Sequence, residues 1–186
     1  MLCVNFRRGV FVHLSGVLVK SKRKYNPKLN SKKTHARMLE TVIQHLIPIG
    51  FVEFTKQGHF DAHEGEKPDR YYIRQAKWTW FYGGHSKKDA VIFDHSRLRP
   101  IVVECKSQES SGTADDKIFC IQEAFRRSTE DWILVFDGNW WNTGGKLKIE
   151  DLRTQAPILS KQYGRMFCVL TLTEFAEFVR DTWGHR

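Results

Sequence analysis

The hydrophobic positions along this chain change period several times, and the changes mark its elements. From about residue 34 the apolar residues Leu39, Val42, Ile43 and Leu46 recur three and four apart, on one face of a helix that Pro48 and Gly50 end. Residues 51–55 suit a short strand and the polar stretch 56–69 a loop. RYYIRQAKWTWFY at 70–82 is dense in aromatic and β-forming residues and predicts a strand or hairpin, broken by Gly83 and Gly84. DAVIFD at 89–94 and PIVVECK at 100–106 read as two strands close enough to form a hairpin. A polar loop, SQESSG, leads to a second helix from Thr113, whose side chain can cap it, with Ile118, Ile121, Gln122 and Phe125 facing inward. WILVFD at 132–137 reads as a buried strand. A helix near 149–160, a strand at 166–172 and a last helix over 173–183 complete the series. Helices and strands in this order predict an α/β domain, a central mixed β-sheet flanked by helices.

The amino-terminal part differs from the rest. Residues 1–20 alternate enough for a strand or hairpin, and KSKRKYNPKLNSK at 21–33 reads as a basic linker. The expected organisation is therefore a basic arm over 1–33 and a folded domain over 34–186. Net charge is +9, and residues 1–37 hold ten Lys and Arg and no acid, so the remainder is close to neutral. A basic arm on a neutral body suits a polyanion, nucleic acid first, with Lys22, Arg23, Lys24, Lys32 and Lys33 as candidate contacts; a merely solubilising tail is the other reading. No apolar run has the roughly 18 residues of a membrane span, and Arg7, Arg8 and His13 interrupt what would be the apolar stretch of a secretory signal. The four cysteines, Cys3, Cys105, Cys120 and Cys168, form no CxxC pair, which argues against a cysteine zinc site and suits reduced thiols in a cytoplasmic setting.

The hairpin carries the candidate chemistry. On strand 100–106, Ile101, Val103 and Cys105 share one face while Glu104 and Lys106 share the other. Asp89 begins the preceding strand, and in an antiparallel hairpin the start of one strand lies beside the end of the next. Asp89 is thus expected against Glu104 and Lys106. Two carboxylates brought together repel unless a cation neutralises them. Oxygen ligands without Cys or His side chains favour a hard ion, Mg²⁺, with Mn²⁺ able to substitute. A bare ExK triplet is common and means little; the set of adjacent strands, shared face and apolar remainder raises it.

The run KKDAVIF, ten further residues, then VVECKSQESSGTADDKI resembles the core of the PD-(D/E)xK nucleases, the superfamily of many restriction enzymes. Asp89 matches the first acid, and Glu104, Cys105 and Lys106 match the second element; Lys88 stands where the family often has proline. Gln108, the stretch Ser111-Gly112-Thr113 leading into a helix with Asp115, Asp116 and Lys117, and the strand ending FDGNWW at 136–141 fit the same pattern. The resemblance implies a restriction-endonuclease-like core in the order α-β-β-β-α-β over roughly 34–172. It further implies a metal held by Asp89, Glu104 and the carbonyl of Cys105, and a helical acid for which Glu40 is the candidate. Gln108 and Lys117 are candidates to touch the scissile phosphate or the DNA, and Lys87 and Lys88 are candidate phosphate contacts.

Other features carry less. His59 and His63 stand four apart, but in a Gly- and Asp-containing segment without a third ligand, and His85 and His95 read as surface histidines. The aromatics of 71–82 read mainly as core, and Trp140 and Trp141 as packing under a turn or a dimer contact. The expectation is a Mg²⁺-dependent endonuclease acting on double-stranded DNA, of restriction type. A homodimer would let two sites cut both strands, and no small-molecule cofactor or membrane is involved. A cytoplasmic, prokaryotic or phage-type setting follows. The alternatives are an inactive nucleic-acid-binding module of the same fold, or a nuclease of repair, recombination or RNA.

Overall fold

A short antiparallel pair, β1 (Val10–Val12) and β2 (Leu18–Lys20), stands apart from the main sheet in its hydrogen bonding. The computed structural model describes residues 10–12, 18–20, 27–55, 67–79, 85–108 and 114–184. The main sheet has six strands in sequence order: β3 (Val52–Glu53), β4 (Arg70–Thr79), β5 (His85–Asp94), β6 (Ile101–Ser107), β7 (Asp131–Asp137) and β8 (Phe167–Thr171). β4, β5 and β6 form an antiparallel meander, whereas β6, β7 and β8 run parallel. Parallel neighbours need crossover connections. The helices α2 (Ala114–Arg127) and α3 (Lys146–Tyr163) supply them, while α1 (Pro27–Leu46) precedes the six-stranded sheet in the chain and α4 (Leu172–Trp183) follows it.

Side-chain alternation splits the core in two. Val91, Val102, Trp132, Leu134 and Phe136 pack with Ile118, Ile121 and Phe125 of α2 and Ile149, Leu152 and Leu159 of α3. Ala90, Ile92, Ile101, Val103, Cys105, Ile133 and Val135 pack with Leu39, Val42, Ile43 and Leu46 of α1 and Phe175, Val179 and Trp183 of α4. Both faces of β7 are covered, so six of its seven residues are buried and its sequence reads as continuous hydrophobicity. The expected order α-β-β-β-α-β is present as α1, β4, β5, β6, α2 and β7.

Several boundaries differ from the sequence reading. Helix α1 begins at Pro27, so 27–33, expected as linker, is helical. Proline at the first helical position gives up an N–H that has no partner there anyway, and its fixed φ suits the helix. β5 begins at His85 rather than 89, and α3 at Lys146, keeping Pro157 in its interior. α4 starts at Leu172 because Thr171 accepts from Glu174 N while the Glu174 carboxylate accepts from Thr171 N, a reciprocal capping box. The expected loop over most of 56–69, the break expected at Gly83 and Gly84 and the Thr113 cap lie outside the described residues.

Candidate active site

β5 and β6 pair at Ile92–Ile101, Val91–Val102 and Ala90–Val103, and their ladder goes no further toward Asp89. Where it stops, a side chain takes over: Cys105 N donates to Asp89 Oδ2 at 2.8 Å. The same point is irregular on the other flank. Gln75 of β4 sits between the pairs Arg74–Ala90 and Ala76–Lys88 with φ of +48°, unusual for a residue with a side chain.

This break reverses the expected alternation at residues 88 and 89. Strict alternation would group Asp89 with Val91 and Lys88 with Ala90. Instead Asp89 Oδ1 lies 2.9 Å from Nε2 of His35 on α1, and Gln75 Nε2 lies 3.4 Å from it. The Lys88 ammonium reaches Glu104 Oε1 at 3.4 Å and stands 4.4 Å over the Trp132 ring. Lys106 Nζ donates to Glu104 Oε2 at 3.0 Å and to the Cys105 carbonyl at 3.2 Å. Asp89, Glu104 and Lys106 are thus linked through the backbone of Cys105: Asp89 accepts from its N–H, while Lys106 donates to its carbonyl and to Glu104. The nearest cation to Oε1 of Glu104, however, is Lys88.

Burial works to raise the pKa of Asp89. The hydrogen bond and charge of His35, the Cys105 N–H and the charge of Lys106 outweigh it and hold the carboxyl below its ordinary value. Asp89 is therefore an anion at neutral pH. Burial presses the Lys88 ammonium down, against the pull of Glu104. The Cys105 thiol is pushed up by burial and the neighbouring Asp89, so it stays protonated and inert.

The other candidates separate. Glu40 is not at this site: it is half-exposed, pairs with Arg74 at 2.6 Å and accepts from Gln44. The helical phase explains it, because His35, Leu39, Val42 and Leu46 share the sheet-facing stripe and Glu40 falls one position off it. His35 is the residue on α1 that sequence reasoning missed; its spacing four before Leu39 was the available signal. Gln75 gave no sequence signal. Lys88, expected to face phosphate, is only 4% exposed and turned inward, while Lys87 is exposed. Gln108 is buried, its backbone held by Asp137 O and Trp140 N. Lys33 is exposed; the side chains of Lys22, Arg23, Lys24, Lys32 and Lys117, with His59, His63 and His85, lie outside what is described. His95 stands past the far end of β5, edge-on to Tyr71.

The FDGNWW stretch supports the site from below. Trp141 is buried, packs against Phe136 and donates Nε1 to the Lys106 carbonyl at 3.3 Å. Gly138, at φ +107°, passes so close to Gln108 that a Cβ there would lie 2.3 Å from its carbonyl oxygen. The turn therefore fixes the backbone at 106–108, and of the two expectations for the tryptophans Trp141 fulfils packing under the turn.

The donors on hand suit a hard cation: two carboxylates, one of them held anionic, beside a main-chain carbonyl. Among the described residues no three His, Cys, Asp or Glu side chains are grouped to hold a metal ion, so the carbonyl of Cys105 would have to complete such a set. No helix of the described residues is long and apolar enough to cross a membrane. No curated protein and no solved structure matches the chain. A family model described as a PD-(D/E)XK nuclease superfamily domain matches residues 22–183, from ahead of α1 to the end of α4. Nucleases of this superfamily generally use divalent metals, and a nuclease domain implies a nucleic acid substrate. With the mixed sheet, its flanking helices and a match over most of its length, this chain belongs to the PD-(D/E)XK nuclease superfamily.

Proposed function

We propose that this protein is a Mg²⁺-dependent endonuclease of double-stranded DNA, of restriction type. The observation that carries the reading is that Asp89 and the Glu104–Lys106 pair are both tied to the Cys105 backbone where β5 and β6 part. Asp89, Glu104 and the Cys105 carbonyl would hold the ion. When bound, the ion supplies positive charge at a phosphate oxygen and lowers the pKa of a water. Asp89 enters this role already ionised, oriented by His35 and by the Cys105 N–H. Lys106, poised on Glu104 at the same edge, orients the attacking water or stabilises negative charge growing on the phosphate. Gln108, one residue past β6 with its backbone held by Asp137 and Trp140, would touch the scissile phosphate or the DNA. The basic residues Lys22, Arg23, Lys24, Lys32 and Lys33, with Lys87 and Lys117, would meet phosphates away from the cut. A symmetric dimer would present two such edges to the two strands.

The test is a substrate panel of linear phage DNA, single-stranded DNA and structured RNA, each with Mg²⁺. Discrete fragments from the duplex alone are expected. Cleavage confined to RNA would overturn the DNA assignment, and a featureless smear of duplex would overturn the restriction-type one.

A further inference from the structure

Lys88 is a buried lysine with a specific seat. Lysine is almost never fully buried unless its charge is paired. By strand alternation its side chain belongs among the apolar residues packed on α1 and α4, where Ala90 and Ile92 lie. It crosses instead to the opposite side of the sheet, to Glu104 and the face of Trp132. Glu104 thereby has an ammonium at each oxygen, Lys88 at 3.4 Å and Lys106 at 3.0 Å. A carboxylate so surrounded is fully compensated without any metal. Adding a divalent ion to it would bring three cations around one carboxylate, and like charges that close disfavour one another. Lys88 makes the longer contact with Glu104 and has the face of Trp132 as a second seat, so Lys88 is the one to yield.

We propose that Lys88 is a built-in counter-cation of this site, neutralising Glu104 until a divalent ion binds there and displaces it. The proposal rests on Asp89 and Glu104 being metal ligands. Lys88 compensates the charge of Glu104 in the metal-free protein, at the expense of metal affinity. Once displaced, its ammonium is released at the edge where a phosphate would lie.

The experiment needs no nucleic acid. Mn²⁺ binding is measured by calorimetry on the wild type, Lys88→Met and Glu104→Gln. Separately, acetylation of Lys88 in the wild type is mapped by mass spectrometry with Mn²⁺ and with EDTA. The expected results are a dissociation constant about tenfold lower in Lys88→Met, loss of binding in Glu104→Gln, and several-fold greater acetylation of Lys88 with Mn²⁺. The labelling uses only wild-type protein, so it decides the matter even if Lys88→Met does not fold. Mn²⁺ binding that depends on Glu104, with Lys88 equally protected in both conditions, overturns the proposal and leaves the metal site standing. No binding to any form overturns the metal site itself.

Discussion

Asp89 collects three donors on two oxygens, from His35, Gln75 and the Cys105 backbone, and this fixes what single substitutions should do. Lys106→Ala removes a side chain at the edge of the sheet while its backbone stays tied to Trp141. Cleavage should fall by about a thousandfold or more, with the melting temperature and DNA affinity nearly unchanged; retained cleavage would remove Lys106 from the mechanism. His35→Ala leaves Asp89 without its helical partner. Ligand-orienting neighbours of this kind are typically worth about 10–100-fold in metal affinity. Calorimetry with Mn²⁺ should show that loss, with partial rescue in His35→Gln, and equal affinity in all three proteins would reduce His35 to packing. Glu104 and Lys106 were legible in the sequence because alternation along β6 puts them on one face, where Lys106 donates to Glu104, and Asp89 was legible as an acid on the neighbouring strand, though not in its turn toward His35. His35 was readable only as a member of the α1 stripe, four before Leu39, and the inward turn of Lys88 was not readable, because it depends on the ladder breaking beyond Ala90, where alternation ceases to hold.

At the scale of elements, the long periodic segments declared themselves, and the boundaries moved where local chemistry outweighed pattern. Pro27 opens α1 ahead of its apolar stripe, and Thr171 caps α4 two residues before the expected start. The turn after β7 has no hydrophobic period to read, yet it holds the backbone of the site. Gly138→Ala would place a methyl against the Gln108 backbone at a φ that costs about 1–3 kcal/mol by itself. Urea unfolding should show a loss of at least that size, and a variant as stable as the wild type would contradict this role of the turn. At the other end of β5, Asp94 ties that strand to α4 by accepting from Trp183 Nε1 at 2.7 Å and from Ser96. Burial raises its pKa, but the Ser96 and Trp183 hydrogen bonds and the charge of Arg70 bring it below the ordinary 3.8. A depressed carboxyl contributes stability that is fully present above the unfolded value and is lost as pH falls through the folded one. The stability gap between wild type and Asp94→Asn should thus hold at neutral pH and close as the pH drops below 3.8. A gap independent of pH would mean the bond to Trp183 does not need the charge.

Across the whole molecule, charge is divided between a basic amino-terminal region and a nearly neutral remainder. Composition made that legible, though it says nothing of which phosphates the region meets. Replacing Lys22, Arg23 and Lys24 with Ala should weaken DNA binding and flatten its dependence on the logarithm of salt concentration, by about 0.9 for each phosphate no longer neutralised. An unchanged slope would assign the region to solubility alone. The fold as a whole followed from the succession of helix, meander and crossover, and the family match over residues 22–183 agrees with it. The edge where β5 and β6 part is proposed to hydrolyse DNA with a metal. The most direct measurement is incubation of supercoiled plasmid with the wild type, Glu104→Ala and Lys106→Ala, each in Mg²⁺ and in EDTA. Cleavage is expected by the wild type in Mg²⁺ alone, with both variants inactive though still binding the plasmid. Cleavage by either variant, or by the wild type in EDTA, would contradict it.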